Sequence, residues 1–266
     1  MIRPLAGILS SMHSVILSLG FWGPGNGQTG VTSAVDYINK TTTTGNATNR
    51  GSATARAYSS GCTGSTYGFF GGGSPSATLI EYINLSLTTG NTASKGTLSV
   101  GRNQLVGCAG AVYGYFGGGS GSSVIDYITL ATTTGNALSK GTLVVGRQNI
   151  AGCAGSTYGF FCGGGTPSVT KIIEYIDDTT TSGNATNGGT LTSLRQGPGG
   201  CSGTTYGFIA GGYTTNPAID YIDMTVGTNN GLSKGSLTAA RSFFKDALEL
   251  YMVFLVVVYI LLILQL

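Results

Sequence analysis

An acidic residue followed by Tyr and Ile occurs five times at nearly equal spacing. The triplets are Asp36-Tyr37-Ile38, Glu81-Tyr82-Ile83, Asp126-Tyr127-Ile128, Glu174-Tyr175-Ile176 and Asp220-Tyr221-Ile222, at intervals of 45, 45, 48 and 46 residues. The same neighbours return around each: an aromatic and glycine cluster before it, a turn of the Thr-Gly-Asn kind after it, then an arginine. A period of this length, made of short strands and turns, belongs to radial repeat proteins, in which each unit buries its apolar faces only against its neighbours. Composition agrees. With 46 glycines, 41% hydrophobic and 9% charged residues among 266, the chain is too apolar for disorder and too glycine-rich for helices. The net charge of +3 is spread over the repeats and forms no stripe that would bind nucleic acid.

The repeat from 102 to 146 reads as four antiparallel strands. Leu105–Ala109 forms the first, Val112–Phe116 the second, Val124–Leu130 the third, and the fourth lies within Ala137–Val145. Gly110-Ala111, with sisters Gly64-Ser65, Gly155-Ser156 and Gly203-Thr204, is expected to be a two-residue hairpin whose glycine adopts positive φ. Strand three carries Ile125, Tyr127 and Thr129 on one face and Asp126, Ile128 and Leu130 on the other, so neither face is plainly solvated. A sheet covered on both sides is expected of a propeller blade wedged between two others. Five triplets predict an all-β, five-bladed β-propeller, with six blades, or a fragment of a larger ring, as the alternative.

The Arg heading strand one, the clusters Phe69-Phe70-Gly71-Gly72-Gly73, Tyr115-Phe116-Gly117-Gly118-Gly119 and Phe160-Phe161-Cys162-Gly163-Gly164-Gly165, and the Tyr of strand three together resemble the kelch-type propeller repeat over about Phe21 to Arg241. The family's Trp after that Tyr is absent from every copy, which makes the resemblance one to a divergent, kelch-like class. Such copies also look similar to glycine- and Thr-rich repeats of phage and bacterial surface proteins. The resemblance implies that strand one lies innermost, so that Cys62, Cys108, Cys153 and Cys201, which share one repeat position, surround a central channel. Free buried thiols are expected there, since equivalent positions on adjacent blades lie too far apart for disulfides and C-x-x-C zinc spacing is missing. Cys162 breaks the pattern and is the one thiol that could be exposed.

A carboxylate on a covered face needs a partner, and an arginine heads each repeat. Arg56, Arg102, Arg147, Arg195 and Arg241 are therefore expected to pair with Asp36, Glu81, Asp126, Glu174 and Asp220, one contact per blade or blade junction. No metal and no cofactor are expected. His13 is the only histidine, which leaves no Ser-His-Asp or multi-His constellation, and the only adjacent carboxylates, Asp177-Asp178, point to opposite sides of a strand. A non-catalytic structural or recognition role follows as the expectation, with a glycan-processing enzyme or a lectin on a propeller scaffold as the alternative.

Residues 1–20 read either as a signal-like segment or as degenerate first strands, residues 21–241 as the propeller, and residues 242–266 as an apolar tail. Within the tail, 250–266 is uncharged and borderline in length for a membrane span. A self-burying strand pair or a lost continuation are the alternatives. Spacing from the first aromatic to the acid is 15 for Phe21 to Asp36, 12 for Phe69 to Glu81, 11 for Tyr115 to Asp126, 14 for Phe160 to Glu174 and 12 for Phe208 to Asp220. Loops that vary over a constant scaffold are where recognition is installed. Trp22 and Asn26 in the first loop, Lys171 in the fourth, and Tyr213 and Asn216 in the fifth are the expected binding residues, for a glycan or protein ligand. The expected setting is an extracellular, virion or membrane-attached surface.

Overall fold

Four triplets occupy the third strand of a four-stranded antiparallel meander and Asp36-Tyr37-Ile38 the middle strand of a three-stranded one, and these five sheets ring an axis as the blades of a β-propeller. The computed structural model describes residues 19–27, 30–75, 77–165, 167–212 and 216–240. Blade I is made of β1 (Leu19–Trp22), β4 (Ala34–Asn39) and β5 (Thr48–Ser52), with a small hairpin, β2 (Gly25–Gly27) and β3 (Gly30–Thr32), inserted after β1. Blade II contains β6 (Ser60–Thr63), β7 (Tyr67–Gly71), β8 (Leu79–Asn84) and β9 (Ala93–Thr97). Blade III contains β10 (Val106–Ala109), β11 (Tyr113–Gly117), β12 (Val124–Thr129) and β13 (Leu138–Thr142). Blade IV contains β14 (Ala151–Ala154), β15 (Tyr158–Cys162), β16 (Thr170–Asp177) and β17 (Thr186–Arg195). Blade V contains β18 (Gly199–Ser202), β19 (Tyr206–Ala210), β20 (Ala218–Asp223) and β21 (Leu232–Ser236).

The triplet Tyr has a mechanical role inside the blade. It meets the first Tyr of the second strand edge-on, with ring centroids 5.6 Å apart for Tyr67 and Tyr82, 5.2 Å for Tyr113 and Tyr127, 5.4 Å for Tyr158 and Tyr175, and 5.5 Å for Tyr206 and Tyr221. Such cross-strand aromatic pairs hold the register of a sheet. Ile125, beside Tyr127, and Asp126 and Ile128 on the opposite side of β12 are all buried, so both faces are covered as the sequence pattern requires.

Glycine replaces bulk where blades touch. A Cβ on Gly107 of β10 would lie 2.2 Å from the carbonyl oxygen of Gly61 in β6, so the innermost strands approach backbone to backbone. At the outer end of strand two, Phe70, Phe116 and Phe161 press on Gly23, Gly71 and Gly117 of the preceding blade, where a Cβ would sit 2.4, 2.6 and 2.4 Å from the ring. Between blades IV and V both partners change together: Cys162 takes the glycine position and Ile209 the phenylalanine position, and both lie in one core cluster.

A repeated joint locks four of the seams. In the pairing of strands three and four of every blade a bulge falls beside the triplet acid, leaving Arg50, Lys95, Lys140, Gly188 or Lys234 unpaired on the fourth strand. The bulged cation reaches the turn of the next blade: Lys95 Nζ donates to the carbonyls of Thr132 (2.8 Å) and Thr134 (3.2 Å), and Lys140 Nζ to those of Asp177 (2.8 Å) and Thr180 (2.6 Å). Arg50 makes the same reach to Leu87 and Gly90. The turn's asparagine answers. Asn91, Asn136, Asn184 and Asn230 accept through Oδ1 from the amides of Ser52, Thr97, Thr142 and Thr190, at 2.9 to 3.0 Å.

Three expectations are corrected by this geometry. The hairpin glycines do not adopt positive φ; a Cβ on Gly110 would lie 2.0 Å from Asp178 Oδ2 and one on Gly64 2.9 Å from Leu130 Cβ, so close packing by the next blade requires glycine there. Trp22 belongs to strand β1, opposite Asp36, and not to the loop. Lys171 likewise lies within β16, because that strand begins at Thr170.

Candidate functional site

Two surfaces offer themselves, the axial cavity and the end of the ring that carries the strand-two to strand-three loops. The cavity has a volume of about 440 Å³ and is walled by β6, β10, β14 and β18, with Leu19 to Phe21 and Lys40 of blade I on the remaining side. One mouth is drawn together by a collar of left-handed residues, Tyr58, Gln104, Asn149 and Gly197, at φ of 58°, 55°, 57° and 65°. They are chained by hydrogen bonds: the Gln104 amide donates to the Tyr58 carbonyl, Asn149 to Gln104, and Gly197 to Asn149, at 3.0, 3.0 and 2.8 Å. Non-glycine residues in this region cost on the order of 1–3 kcal/mol each and persist where surroundings fix them, as this circuit does.

The cysteines sit on the inner strands, as expected, but their thiols turn into the seams. Cys62 Sγ lies 2.6 Å and Cys153 Sγ 2.5 Å from where a Cβ on Gly114 or Gly207 of the next blade would stand. Burial pushes the Cys62 and Cys201 thiols up to about 12, and Cys108 is raised by the same cause. Cys153 is raised by its hydrogen bond with Cys162 and then by burial. Cys162 is buried as well and free, which corrects its reading as the exposed thiol. Thiols held protonated in this way are small apolar side chains, not nucleophiles.

Four of the five expected arginine and acid pairs are present: Arg56 with Glu81 at 2.7 Å, Arg102 with Asp126 at 2.5 Å, Arg147 with Glu174, and Arg195 with Asp220 at 2.8 Å. All eight side chains are buried or nearly so. Each arginine also donates to carbonyls of the blade that carries its acid, Arg102 for instance to Gly118 (2.8 Å) and Val124 (2.6 Å). Their carboxylates accept from the preceding blade, as Asp220 does from the Thr192 amide and hydroxyl at 2.9 and 2.7 Å. The pairs are therefore seam fasteners. Among the described residues Asp36 accepts from Asn49 Nδ2 at 3.1 Å, and Arg241 lies outside them.

A polar pair that the repeat pattern does not announce joins blades III and IV. Asp178, where sister blades have Leu85, Leu130 and Met224, accepts from the Tyr115 hydroxyl at 2.7 Å and from the Ala111 amide at 3.1 Å. Burial raises the Asp178 carboxyl against the opposing effect of those two donors. Two substitutions within the repeat, Tyr for Phe and Asp for Leu, signalled this contact in the sequence. The bulge tripeptide is legible in the sequence too: Arg50-Gly51-Ser52, Lys95-Gly96-Thr97, Lys140-Gly141-Thr142 and Lys234-Gly235-Ser236 share one pattern of cation, glycine and hydroxyl residue.

Every blade is a meander, so the loops 23–33, 72–78, 118–123, 163–169 and 211–217 share one end of the ring with the arginine-bearing connections. Asn26 is in β2, Lys171 is exposed in β16, and Asn216 donates from Nδ2 to Ser193 Oγ at 2.7 Å while capping the Ala218 amide. These residues occupy three different blades. Tyr213, His13 and the 250–266 run lie outside the described residues. Among the described residues no group of three His, Cys, Asp or Glu could hold a metal, and no helix is long and apolar enough to cross a membrane. No protein-family model matches this sequence, and comparison with curated proteins gives no match.

Proposed function

We propose that this propeller is a non-catalytic recognition module of the kelch-like kind, working by attachment or protein interaction at a cell or virion surface. The observation that supports it is the division of labour along the repeat. Arginines, carboxylates, bulged cations and thiols are consumed by the seams, while the loops at one end differ from blade to blade, from 118–123 in blade III to the hairpin-bearing 23–33 in blade I. A constant frame with variable loops suits the display of a binding surface. The ligand class is a glycan or a protein segment contacting those loops.

A glycan array and a panel of immobilised surface proteins test this reading, with wild-type chain compared against Asn26→Ala and Lys171→Ala. Binding that both variants weaken at an unchanged melting temperature supports the loop end as the site. Turnover in a broad glycosidase screen overturns the non-catalytic assignment.

A further inference from the structure

Among the described residues blade I has three strands where the other blades have four, and the position without a described strand is the innermost. Its strands β1, β4 and β5 match strands two, three and four elsewhere. The edge of β1 therefore corresponds to the edges at which β7, β11, β15 and β19 pair with β6, β10, β14 and β18. Two further observations lie beside that edge. Cys62 Sγ and Cys153 Sγ on the inner strands lie 2.6 and 2.5 Å from a Cβ placed on Gly114 and Gly207 of the following blade. For Gly68, the described atoms nearest such a Cβ belong to its own blade, Leu85, Ile83 and Thr63 at 3.1 to 3.5 Å. Asp36 is half-buried and has no arginine among the described residues, whereas Glu81, Asp126, Glu174 and Asp220 are buried against the arginine that heads strand one of their own blade.

The repeat spacing identifies the segment that fits. Strand one spans the fourth to the seventh residue after its arginine: Ser60–Thr63 after Arg56, Val106–Ala109 after Arg102, Ala151–Ala154 after Arg147 and Gly199–Ser202 after Arg195. The cysteine is always the sixth. Blade V is described up to Ala240, and the next residue is the fifth repeat arginine, Arg241. The connection leading to it repeats as well. Ser99, Val144 and Thr192, three residues before their arginines, donate their amides to Asp126, Glu174 and Asp220 of the next blade at 3.3, 3.1 and 2.9 Å, and Thr238 holds that place before Arg241. We infer that residues 245–248 form the innermost strand of blade I, with Arg241 on Asp36 and Ala247 over Gly68, so that the chain beyond blade V closes the ring. Charge decides between this segment and the N-terminal one. Counting back from Gly20 as from Gly68, Gly114, Gly159 and Gly207 gives 12–15 as the rival strand, but the arginine's place then falls on Ile8, which cannot neutralise Asp36. The segment departs from its sisters at Asp246, where Gly61, Gly107, Gly152 and Gly200 let inner strands approach backbone to backbone, so this strand stands further from β18 than the others do from one another. Strand one runs away from the loop end. The apolar 250–266 run therefore leaves the ring at the end opposite the loops 72–78, 118–123, 163–169 and 211–217.

The test uses the full chain and two independent measurements. Arg241→Met leaves the Asp36 carboxylate enclosed without its cation and is expected to lower the melting temperature by about 6–20 °C, with Asp36→Leu added in the same chain recovering most of the loss. Should Arg241→Met not fold, folding of the double variant reads the same coupling. Ala247→Cys places a thiol where Cys62, Cys108, Cys153 and Cys201 stand in the other blades, and at about pH 8 it is expected to resist a thiol reagent until the chain unfolds. Ser14→Cys, at the matching place of the rival segment, is expected to be labelled in the folded protein. Losses at 36 and 241 that simply add, or labelling of Ala247→Cys at the rate of the unfolded chain, overturn the inference. Labelling of Ala247→Cys together with protection of Ser14→Cys assigns the strand to the N-terminal segment instead.

Discussion

The paired exchange at the seam between blades IV and V makes a sharp test of how these blades pack. In the three preceding seams a phenylalanine ring sits where a Cβ on the facing glycine would lie 2.4 to 2.6 Å away, well inside contact distance. Ile209→Phe should therefore collide with Cys162, which already occupies the glycine position, and overpacking of this kind costs about 1–3 kcal/mol. Cys162→Gly alone deletes two buried heavy atoms beside Ile209 and adds backbone freedom, for a loss of about 2 kcal/mol from transfer, cavity and glycine entropy combined. The double variant restores the pairing of the other seams and should lie within about 1 kcal/mol of wild type. That implies a coupling of about 2–5 kcal/mol, at or above the upper end of what touching residues show. For a chain of this size 1 kcal/mol moves the melting temperature by about 2–4 °C. Scanning calorimetry of the four proteins would then place Cys162→Gly about 4–8 °C and Ile209→Phe about 2–12 °C below wild type, with the double variant near it. Additive losses, with the double variant lowest, would refute the claim that the two positions compensate.

Removing one member of a seam fastener should be severe. Arg102→Met leaves Asp126 buried and uncompensated and is expected to cost about 3–5 kcal/mol by denaturant unfolding, with Asp126→Leu added in the same chain recovering most of the loss. At the polar seam, Tyr115→Phe with Asp178→Leu should stabilise the protein at neutral pH. Because burial raises the Asp178 carboxyl in the folded state, wild type loses stability as pH rises from the ordinary aspartate value through the raised one, so the advantage of the double variant should grow over that window and then level off; a pH-independent difference would contradict the assignment. The thiols supply a third measurement. Burial lifts Cys62 and Cys201 to about 12, so a thiol reagent at pH 8 should label no cysteine of the folded protein and all five after unfolding.

The architecture was legible in the sequence because each blade repeats the same local problem. Alternating strands, the triplet acid with its arginine, and glycines after an aromatic strand are short-range patterns, and the structure returns them with strand boundaries shifted by one or two residues, Val106–Ala109 for the expected Leu105–Ala109 among them. What the chain could not disclose by itself is which contacts cross a seam. The hairpin glycines looked like a demand for positive φ, yet the demand comes from Asp178 or Leu130 arriving from the next blade, and no local rule contains that neighbour. Trp22 looked like a loop residue until the register placed it opposite Asp36. The bulged cations read as scattered surface charge until the bulge turned them into the following turn, where carbonyls replace their water. Period and pattern are properties of one blade and can be read along the chain; the seams depend on how neighbouring blades approach, and tertiary packing alone decided them.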